Sequence, residues 1–202
     1  MDVISAARPL LLGSASPRRR ALLEGLGIPH RVRAPEVPED VEPGELPEPY
    51  LVRIVNAKLE RACELAPAES ACVLVADTTV VLGERILGKP SGRPEALELL
   101  RELAGRTHRV LTRYAVGGRG DAEARFARTV ETLVSIRAAS SDELERYAAS
   151  GEGLDKAGAY AAQGLGAFLV ERVEGSYTNV VGLPVCELVV DLRAAGLLAS
   201  FP

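Results

Sequence analysis

The chain has 202 residues, of which 47% are hydrophobic and 26% are charged, and its formal net charge is −4. This composition predicts one globular domain over residues 1–202 with a sizeable core, and two lobes are compatible with the length. The acidic balance excludes general adhesion to nucleic acid or to an anionic membrane, because both depend on accumulated positive charge.

The first predicted elements are a strand over Leu10–Leu12 and a helix that begins after Ser16 and ends near residue 26. Ser16 is a favourable N-cap and Pro17 suits the first helical position, so the free N–H groups of the helix point toward the preceding turn. Three arginines at positions 18–20 occupy the first helical turn, where positive charge opposes the helix dipole unless an anion binds. The segment indicates a phosphate site, and a solvated charged face is the alternative.

A short strand near residues 30–34 precedes an acidic segment with five prolines between positions 35 and 49. We expect no regular element in this segment, which is either a solvated loop or a loop that delivers one carboxylate to a metal. Residues 50–66 then place apolar side chains at helical spacing. Lys58 lies within this apolar stripe, where its stem either follows the apolar surface to the rim or brings its ammonium to a site.

The apolar run over residues 72–76 predicts a strand that is buried on both faces. Asp77 interrupts the run, and the strand continues to Leu82 before a hairpin returns toward Lys89. This stretch is too short to span a bilayer. A carboxylate inside an apolar strand needs cations or hydrogen-bond donors, because burying it alone is costly. Asp77 therefore indicates a site, and a hydrogen bond to a neighbouring turn is the alternative.

The rest of the chain predicts further helices and strands. They are a helix over 94–104, strands over 107–116 and 124–137, a helix over 142–150, a strand over 167–173, a turn over 176–179 and a helix over 185–198 that is interrupted near Gly196. Ser140 or Ser141 is the expected N-cap of the helix over 142–150, and Glu143 is placed for a capping box with Ser140. Residues 151–166 hold five glycines and predict a long loop, which either binds something or is a mobile excursion, with a helical turn possible over 157–162. The whole predicts an α/β fold with a twisted mixed β-sheet and flanking helices.

The residue types narrow the chemistry further. With only two histidines, His30 and His108, a zinc site or a Ser-His-Asp triad has little material, and each is expected to be a surface or strand residue. The three cysteines lack a C-x-x-C spacing, which is typical of reduced core residues in a cytoplasmic protein. Any catalysis must therefore use carboxylates, cationic side chains and a metal. We hypothesise that four cations, Arg18, Arg19, Lys58 and Lys89, lie together with Asp77, because such a set can bind a polyphosphate with magnesium.

Six segments carry a more specific pattern. They are SASPRR at 14–19, VADT at 75–78, GKP at 88–90, DKAGAY at 155–160, QG at 163–164, and GSY with VGLP within 175–184. Together, in this order over nearly the whole chain, they resemble the Maf family of nucleoside triphosphate pyrophosphatases. The resemblance implies a fold similar to that of the inosine-triphosphate pyrophosphatases (Maf/Ham1), with two lobes around a cleft.

The resemblance also implies a reaction and its residues. A nucleoside triphosphate and water would give the monophosphate and diphosphate, as in a nucleoside triphosphate diphosphatase. The family residue that matches Asp77 is the proton acceptor, and those that match Arg18, Thr78 and Gln163 influence substrate choice. Glu39 falls where the family keeps an acidic residue, so Glu39 and Asp77 are the expected ligands of a divalent cation, Mg²⁺ or Mn²⁺. The remaining residues expected to bind substrate are Ser14, Arg19, Lys58 and Lys89.

The motifs also resemble one branch of the family. The branch that acts on dTTP and UTP has Pro-Arg-Arg, Ala-Asp-Thr and a late glutamine, whereas the 7-methyl-GTP branch has a tryptophan after the proline, Ser-Asp-Gln and a glutamate. The resemblance thus implies pyrimidine nucleoside triphosphates, canonical or modified, as substrates. Ala161 and Ala162 depart from the family, which often has glycine and a branched residue there. A nucleotide-binding regulator of cell division without significant turnover is the alternative, and a homodimer is left open.

Overall fold

The computed structural model describes residues 3–121, 123–199 and 201. The strands are β1 Leu10–Leu12, β2 His30–Val32, β3 Cys72–Leu82, β4 Arg85–Leu87, β5 Thr107–Gly117, β6 Ala124–Ile136 and β7 Val170–Glu174. The α-helices are α1 Pro17–Gly25, α2 Pro47–Glu64, α3 Arg93–Leu103, α4 Ser141–Ser150, α5 Tyr177–Val181 and α6 Val185–Ala194. Short 3₁₀ turns lie at Ala157–Ala159 and Gly164–Leu169. The predicted α/β class is confirmed.

The strands of the described chain form one mixed sheet in the order β2-β1-β3-β5-β6-β7, with β4 beside β3. Strands β2, β1 and β3 are parallel, whereas β3, β5, β6 and β7 pair antiparallel. One edge of β3 pairs with β5 without interruption over residues 73–81. On its other edge, β1 pairs with residues 72–74 and β4 with residues 80–82. In the described chain, that edge is therefore open between the two pairings, in the middle of the longest predicted apolar run.

Gly13 lies at the end of the opening that is nearer to β1. Its N–H donates to the carbonyl of Leu74 at 2.8 Å, and this is the last hydrogen bond from the β1 segment to β3 before the opening. A Cβ atom on Gly13 would lie 2.8 Å from Cγ1 of Val75 and 3.0 Å from Cβ of Ala62. Only glycine permits this close approach of the chain to β3 and α2 without displacing its neighbours.

Helices cover both faces of the sheet. On one face, Val73, Val75 and Val81 of β3 belong to core clusters with residues of α2. On the other face, Leu74 and Ala76 pack with α1 and α6, and Val80 packs with α3 and α4. Adjacent residues of a strand point to opposite faces, so Asp77 faces α2 while Thr78 faces the boundary between the two clusters on the far side. The far face of the sheet therefore carries two core clusters, with Leu74 and Ala76 in one and Val80 in the other.

Some predicted boundaries were wrong for identifiable reasons. Helix α2 begins at Pro47, not at residue 50, because Pro47 and Pro49 lie in its first turn, where N–H groups have no acceptor within the helix. The predicted strand over 167–173 begins only at Val170, because the preceding residues form a 3₁₀ turn. The predicted turn at 176–179 is the start of α5, capped by Ser176.

Other details differ near the C-terminus. Helix α6 ends at Ala194, and Gly196 follows with a φ of 70°, so the interruption predicted near Gly196 is confirmed and the helix does not continue to 198. Cys63 and Cys72 are buried as predicted, but Cys186 is exposed. The capping box predicted between Ser140 and Glu143 at the start of α4 is confirmed. Among the described residues, no helix is both long and apolar enough to span a membrane.

Candidate active site

A cleft of about 810 Å³ opens where the edge of β3 is unpaired. Its walls are the segment from Gly13 into α1, the acidic loop before α2, the middle of β3, the segment after β4 and the loop over residues 151–166. All nine residues that the sequence pointed to line it, namely Ser14, Arg18, Arg19, Glu39, Lys58, Asp77, Thr78, Lys89 and Gln163. The fold thus brings together residues that are up to 149 positions apart in the chain.

Lys58 joins two carboxylates on the α2 side of the cleft. Its Nζ lies 2.7 Å from Oδ1 of Asp77 and 2.6 Å from Oε1 of Glu39. Lys58 and Asp77 are each only 7% exposed, so their opposite charges compensate each other where water is largely excluded. The alternatives that placed Lys58 at the rim and paired Asp77 with a turn were therefore wrong. Lys89, which is mostly exposed, lies 3.8 Å from Oε2 of Glu39.

The acidic loop supplies an ionised carboxylate to this group. Burial raises the pKa of Glu39, but the hydrogen bond from Lys58 and the charges of Lys58 and Lys89 outweigh it, so the pKa lies below its usual value. Tyr50 holds the loop in place by donating its hydroxyl to the backbone carbonyl of Glu39 at 3.1 Å. The carboxylates of Glu39 and Asp77, which come from different segments, therefore face the cleft together.

Arg19 approaches the open edge of β3 from the opposite face. Its Nη1 donates to the carbonyl of Ala76 at 2.8 Å and to Oγ of Ser14 at 3.0 Å. Its Nε donates to the carbonyl of Gly182 at 2.7 Å, and its Nη2 donates to Oγ1 of Thr78 at 3.0 Å. A guanidinium has five N–H donors, so only one is left for a substrate. Burial lowers the pKa of Arg19, and the charge of Asp77 partly offsets this.

A buried chain of hydrogen bonds orients the hydroxyl of Thr78. Its Oγ1 lies 2.8 Å from Oγ1 of Thr112, which donates to the backbone carbonyl of Asn179 at 3.0 Å. Because the Thr112 hydroxyl proton is used in that bond, Thr78 accepts from Arg19 and donates to Thr112 at 2.8 Å, with the carbonyl of Gly182 as a second acceptor at 3.4 Å. Asn179 is fully buried and donates its side-chain amide to the carbonyl of Val110 and to Thr132. Thr112 and Asn179 were not predicted from the sequence, where their only signal is polarity at positions that prove to be buried.

The other end of the cleft is closed by the glycine-rich loop over 151–166. Nη1 of Arg18 donates to Oδ2 of Asp155 across the cleft at 3.1 Å, and both side chains are partly exposed. Arg18 and Gln163 also line an adjoining hollow together with Val181. The N–H of Gly158 donates to the carbonyl of Gly88 at 3.1 Å, which ties this loop to the segment that carries Lys89. The helical turn considered within 157–162 is present at Ala157–Ala159.

A buried pair, His108 of β5 and Tyr160 of the loop, connects this loop to the sheet. Nε2 of His108 lies 2.8 Å from the hydroxyl of Tyr160, and His108 is 2% exposed within β5. Burial lowers the pKa of His108 to about 4, so the ring is neutral at physiological pH. This confirms the expectation that His108 is a strand residue, and it adds an unforeseen contact to the loop.

The carboxylates of the cleft offer few ligands to a divalent cation. Across residues 3–121, 123–199 and 201, no group of three or more His, Cys, Asp or Glu side chains is suited to hold a metal ion. Asp77 and Glu39 instead form a pair, since both reach the same nitrogen of Lys58. Mg²⁺ commonly takes one or two carboxylates and completes its shell with phosphates and water. The pair therefore fits a cation that takes most of its ligands from water or a bound anion, not a cation held by protein alone.

The family model described as Maf-like protein matches residues 9–195. The chain belongs to the Maf family. It is 50% identical over 188 residues to the dTTP/UTP pyrophosphatase of Myxococcus xanthus, a match that covers 93% of each chain. It is 43% identical over 189 residues to the dTTP/UTP pyrophosphatase of Geobacter sulfurreducens, covering 94% of this chain and 97% of the relative. The resemblance carried by the six sequence segments is confirmed.

A solved structure is also similar over most of its length. It is titled as a nucleoside-triphosphatase, dITP/XTP pyrophosphatase, from Mycobacterium abscessus, and it matches 94% of each chain at 14% identity with a TM-score of 0.39. A score this low decides nothing about the fold. Membership of the Maf family therefore rests on the sequence matches, and the α/β architecture rests on the sheet and helices described above.

Proposed function

We propose that this Maf-family chain is a nucleoside triphosphate pyrophosphatase that hydrolyses dTTP and UTP to the monophosphate and diphosphate. The observation that carries the proposal is the grouping of Asp77 with four cationic side chains in one cleft, within a chain that is 50% identical to a relative named for this activity. A strongly anionic ligand suits such a cleft, because arginine binds phosphate oxygens bidentately and lysine supplies point charge.

The two cations on the rim are the best placed to meet phosphates. Lys89 is largely exposed, and Arg18 forms its ion pair with the exposed carboxylate of Asp155. Both side chains can leave their protein partners for a phosphate at a small cost in free energy, because exposed ion pairs contribute little to stability. Lys58 and Arg19, by contrast, are already committed to protein groups. We therefore assign the first contacts with the triphosphate to Lys89 and Arg18, and the shaping of the site to the buried cations.

Asp77 is the proposed acceptor of the water proton. Carboxylates are weak bases at neutral pH, so Asp77 orients the attacking water and takes its proton only as the new bond to the α-phosphorus forms. The bond between the α-phosphorus and the bridging oxygen breaks, and diphosphate leaves. A divalent cation, Mg²⁺ or Mn²⁺, held by Asp77 and Glu39 together with the phosphates, would supply charge neutralisation and a more acidic water. Lys58 bridges the two carboxylates, and its hydrogen bond and charge keep the pKa of Glu39 below its usual value.

Substrate choice is assigned to the Arg18 end. Gln163 carries an amide that donates and accepts, which is the chemistry required to recognise the edge of a pyrimidine. The hydroxyl proton of Thr78 has two protein acceptors, Thr112 and the carbonyl of Gly182, so we infer that Thr78 influences substrate choice by fixing Arg19 beneath the substrate. Ser14 has the same role, because it accepts from Arg19 and from the N–H of Ser16.

A substrate panel tests the proposal. The purified chain is incubated with dTTP, UTP, CTP, dGTP and 7-methyl-GTP in the presence of Mg²⁺ or Mn²⁺, and the nucleotide products and diphosphate are quantified. We expect kcat/KM for dTTP and UTP to exceed that for the other three by at least about tenfold, a difference of about 1.4 kcal/mol. Equal use of all five would contradict the assignment of Gln163 and Thr78. Tight binding of dTTP without release of diphosphate would favour the regulator instead.

A further inference from the structure

The segment that carries Gln163 is held by two side chains that the mechanism above does not use. Glu152 lies at the start of the loop, and its carboxylate accepts three hydrogen bonds. Oε1 accepts from the N–H of Leu165 at 2.8 Å, and Oε2 accepts from the N–H of Gly166 at 2.7 Å and from the hydroxyl of Tyr147 at 2.9 Å. One carboxylate thus fixes the chain just after Gln163.

Tyr147 fixes the chain just before Gln163. Its hydroxyl donates to Glu152 and accepts from the N–H of Ala161 at 3.0 Å. Gln163 lies two residues after Ala161 and two residues before Leu165, so both of its flanks are tied to the same pair. We call Tyr147 and Glu152 the clasp. Tyr147 is 2% exposed near the end of α4, so the clasp is anchored in the core.

Two glycines show how closely the segment fits around the clasp. Gly164 has a φ of 70°, and a Cβ atom there would lie 2.4 Å from Oε1 of Glu152. A Cβ atom on Gly166 would lie 2.4 Å from the hydroxyl oxygen of Tyr147 and 2.5 Å from the carbonyl oxygen of Ala161. Side chains at these positions would displace the clasp, so the local sequence is adapted to it.

The charge of Glu152 strengthens the clasp. Burial raises its pKa, but the hydrogen bonds from the two backbone N–H groups and from Tyr147 outweigh this, and the pKa lies below its usual value. Hydrogen bonds to an ionised carboxylate are stronger than bonds between neutral groups. Although Glu152 lines the cleft, its oxygens are directed to the loop, which makes it a positioning residue and not a substrate ligand.

We infer that the clasp of Tyr147 and Glu152 sets the position of Gln163 in the cleft and thereby sets the discrimination between pyrimidine nucleotides and other bases. This inference rests on the proposed function. It adds two specificity-determining positions outside the substrate contacts. It also explains how a long loop with five glycines holds one residue, Gln163, in a fixed position.

Two variants test the inference. Glu152→Gln puts an amide NH₂ against a backbone N–H, and Tyr147→Phe removes the hydroxyl while keeping the ring. We expect each to lower the ratio of kcat/KM for dTTP over that for dGTP by about tenfold, through a higher KM for dTTP with kcat within about threefold of wild type. Amide hydrogen exchange over residues 161–166 should become faster in both variants.

Glu143→Gln is the matched control. The Glu143 carboxylate also accepts three hydrogen bonds, from Nη2 of Arg137 and from the N–H and the hydroxyl of Ser140. It caps the other end of α4 and does not line the cleft. We expect this variant to lose stability while keeping wild-type selectivity and exchange over 161–166, which separates a general effect on α4 from an effect on the loop.

The outcomes are distinguishable. Wild-type selectivity and exchange in both Glu152→Gln and Tyr147→Phe would overturn the inference and leave the proposed function standing. An equal loss of selectivity in Glu143→Gln would also overturn it, because the effect would then be general. If the wild-type chain itself shows no preference among dTTP, UTP and dGTP, the proposed function fails, and the inference that depends on it fails for that separate reason.

Discussion

Replacing Arg19 by lysine should destabilise the fold far more than the same change at Arg18. Arg19 donates four hydrogen bonds from a planar fork, and the accepting carbonyls of Ala76 and Gly182 belong to different segments. A lysine ammonium presents three donors at one point and can keep at most about two of these bonds. Bonds made by a charged group are each worth about 1.5 kcal/mol or more, so we expect a loss of about 3 kcal/mol in the free energy of unfolding.

Arg18→Lys is the control for that change, because it alters the same residue type one position away. Arg18 makes a partly exposed ion pair with Asp155, and such pairs contribute about 0–1 kcal/mol. Urea unfolding followed by far-ultraviolet circular dichroism gives both free energies. The reasoning about Arg19 would be refuted if Arg19→Lys remained within about 1 kcal/mol of wild type, or if both variants lost the same amount.

Three further predictions follow from the geometry. Asp77→Asn keeps an oxygen that accepts from Lys58, so the circular dichroism spectrum should persist while diphosphate release falls at least about 100-fold; a rate within tenfold of wild type would contradict the role of Asp77. Gly13→Ala should cost about 1–3 kcal/mol by crowding Val75, and an unchanged urea midpoint would contradict this. Because burial lowers the pKa of His108 to about 4, the unfolded chain takes up the proton first, and the free energy of unfolding should fall as the pH drops from 6.5 to 4, by up to about 3 kcal/mol. His108→Gln should flatten this slope, and an equal slope would count against it.

The sequence predicted the local chemistry well where a residue conflicts with its surroundings. Asp77 in an apolar strand is such a conflict, and the structure resolves it with a buried lysine. Arginines at a helix N-terminus are another, and Arg19 is satisfied by groups up to 163 positions away. The sequence indicated that partners were needed, but it did not identify them, because hydrogen-bond partners distant in the chain follow from the fold and not from spacing.

The remaining errors have physical causes of the same kind. Pro47 and Pro49 were assigned to a loop, although the first turn of a helix tolerates proline because its N–H groups are free. Tyr147 and Glu152 gave no signal, because a tyrosine and a glutamate near the end of an amphipathic helix are ordinary residues until the loop closes over them. The positions that shape a site through other residues are therefore the ones that sequence patterns show least.

Hydrolysis in ¹⁸O-labelled water tests the central claim most directly. The chain is incubated with dTTP and a divalent cation in H₂¹⁸O, and the products are analysed by mass spectrometry. Attack of water on the α-phosphorus with diphosphate leaving predicts one ¹⁸O atom in dTMP and none in diphosphate. Label in diphosphate, or release of orthophosphate with dTDP, would contradict the account, because water would then have attacked another phosphorus.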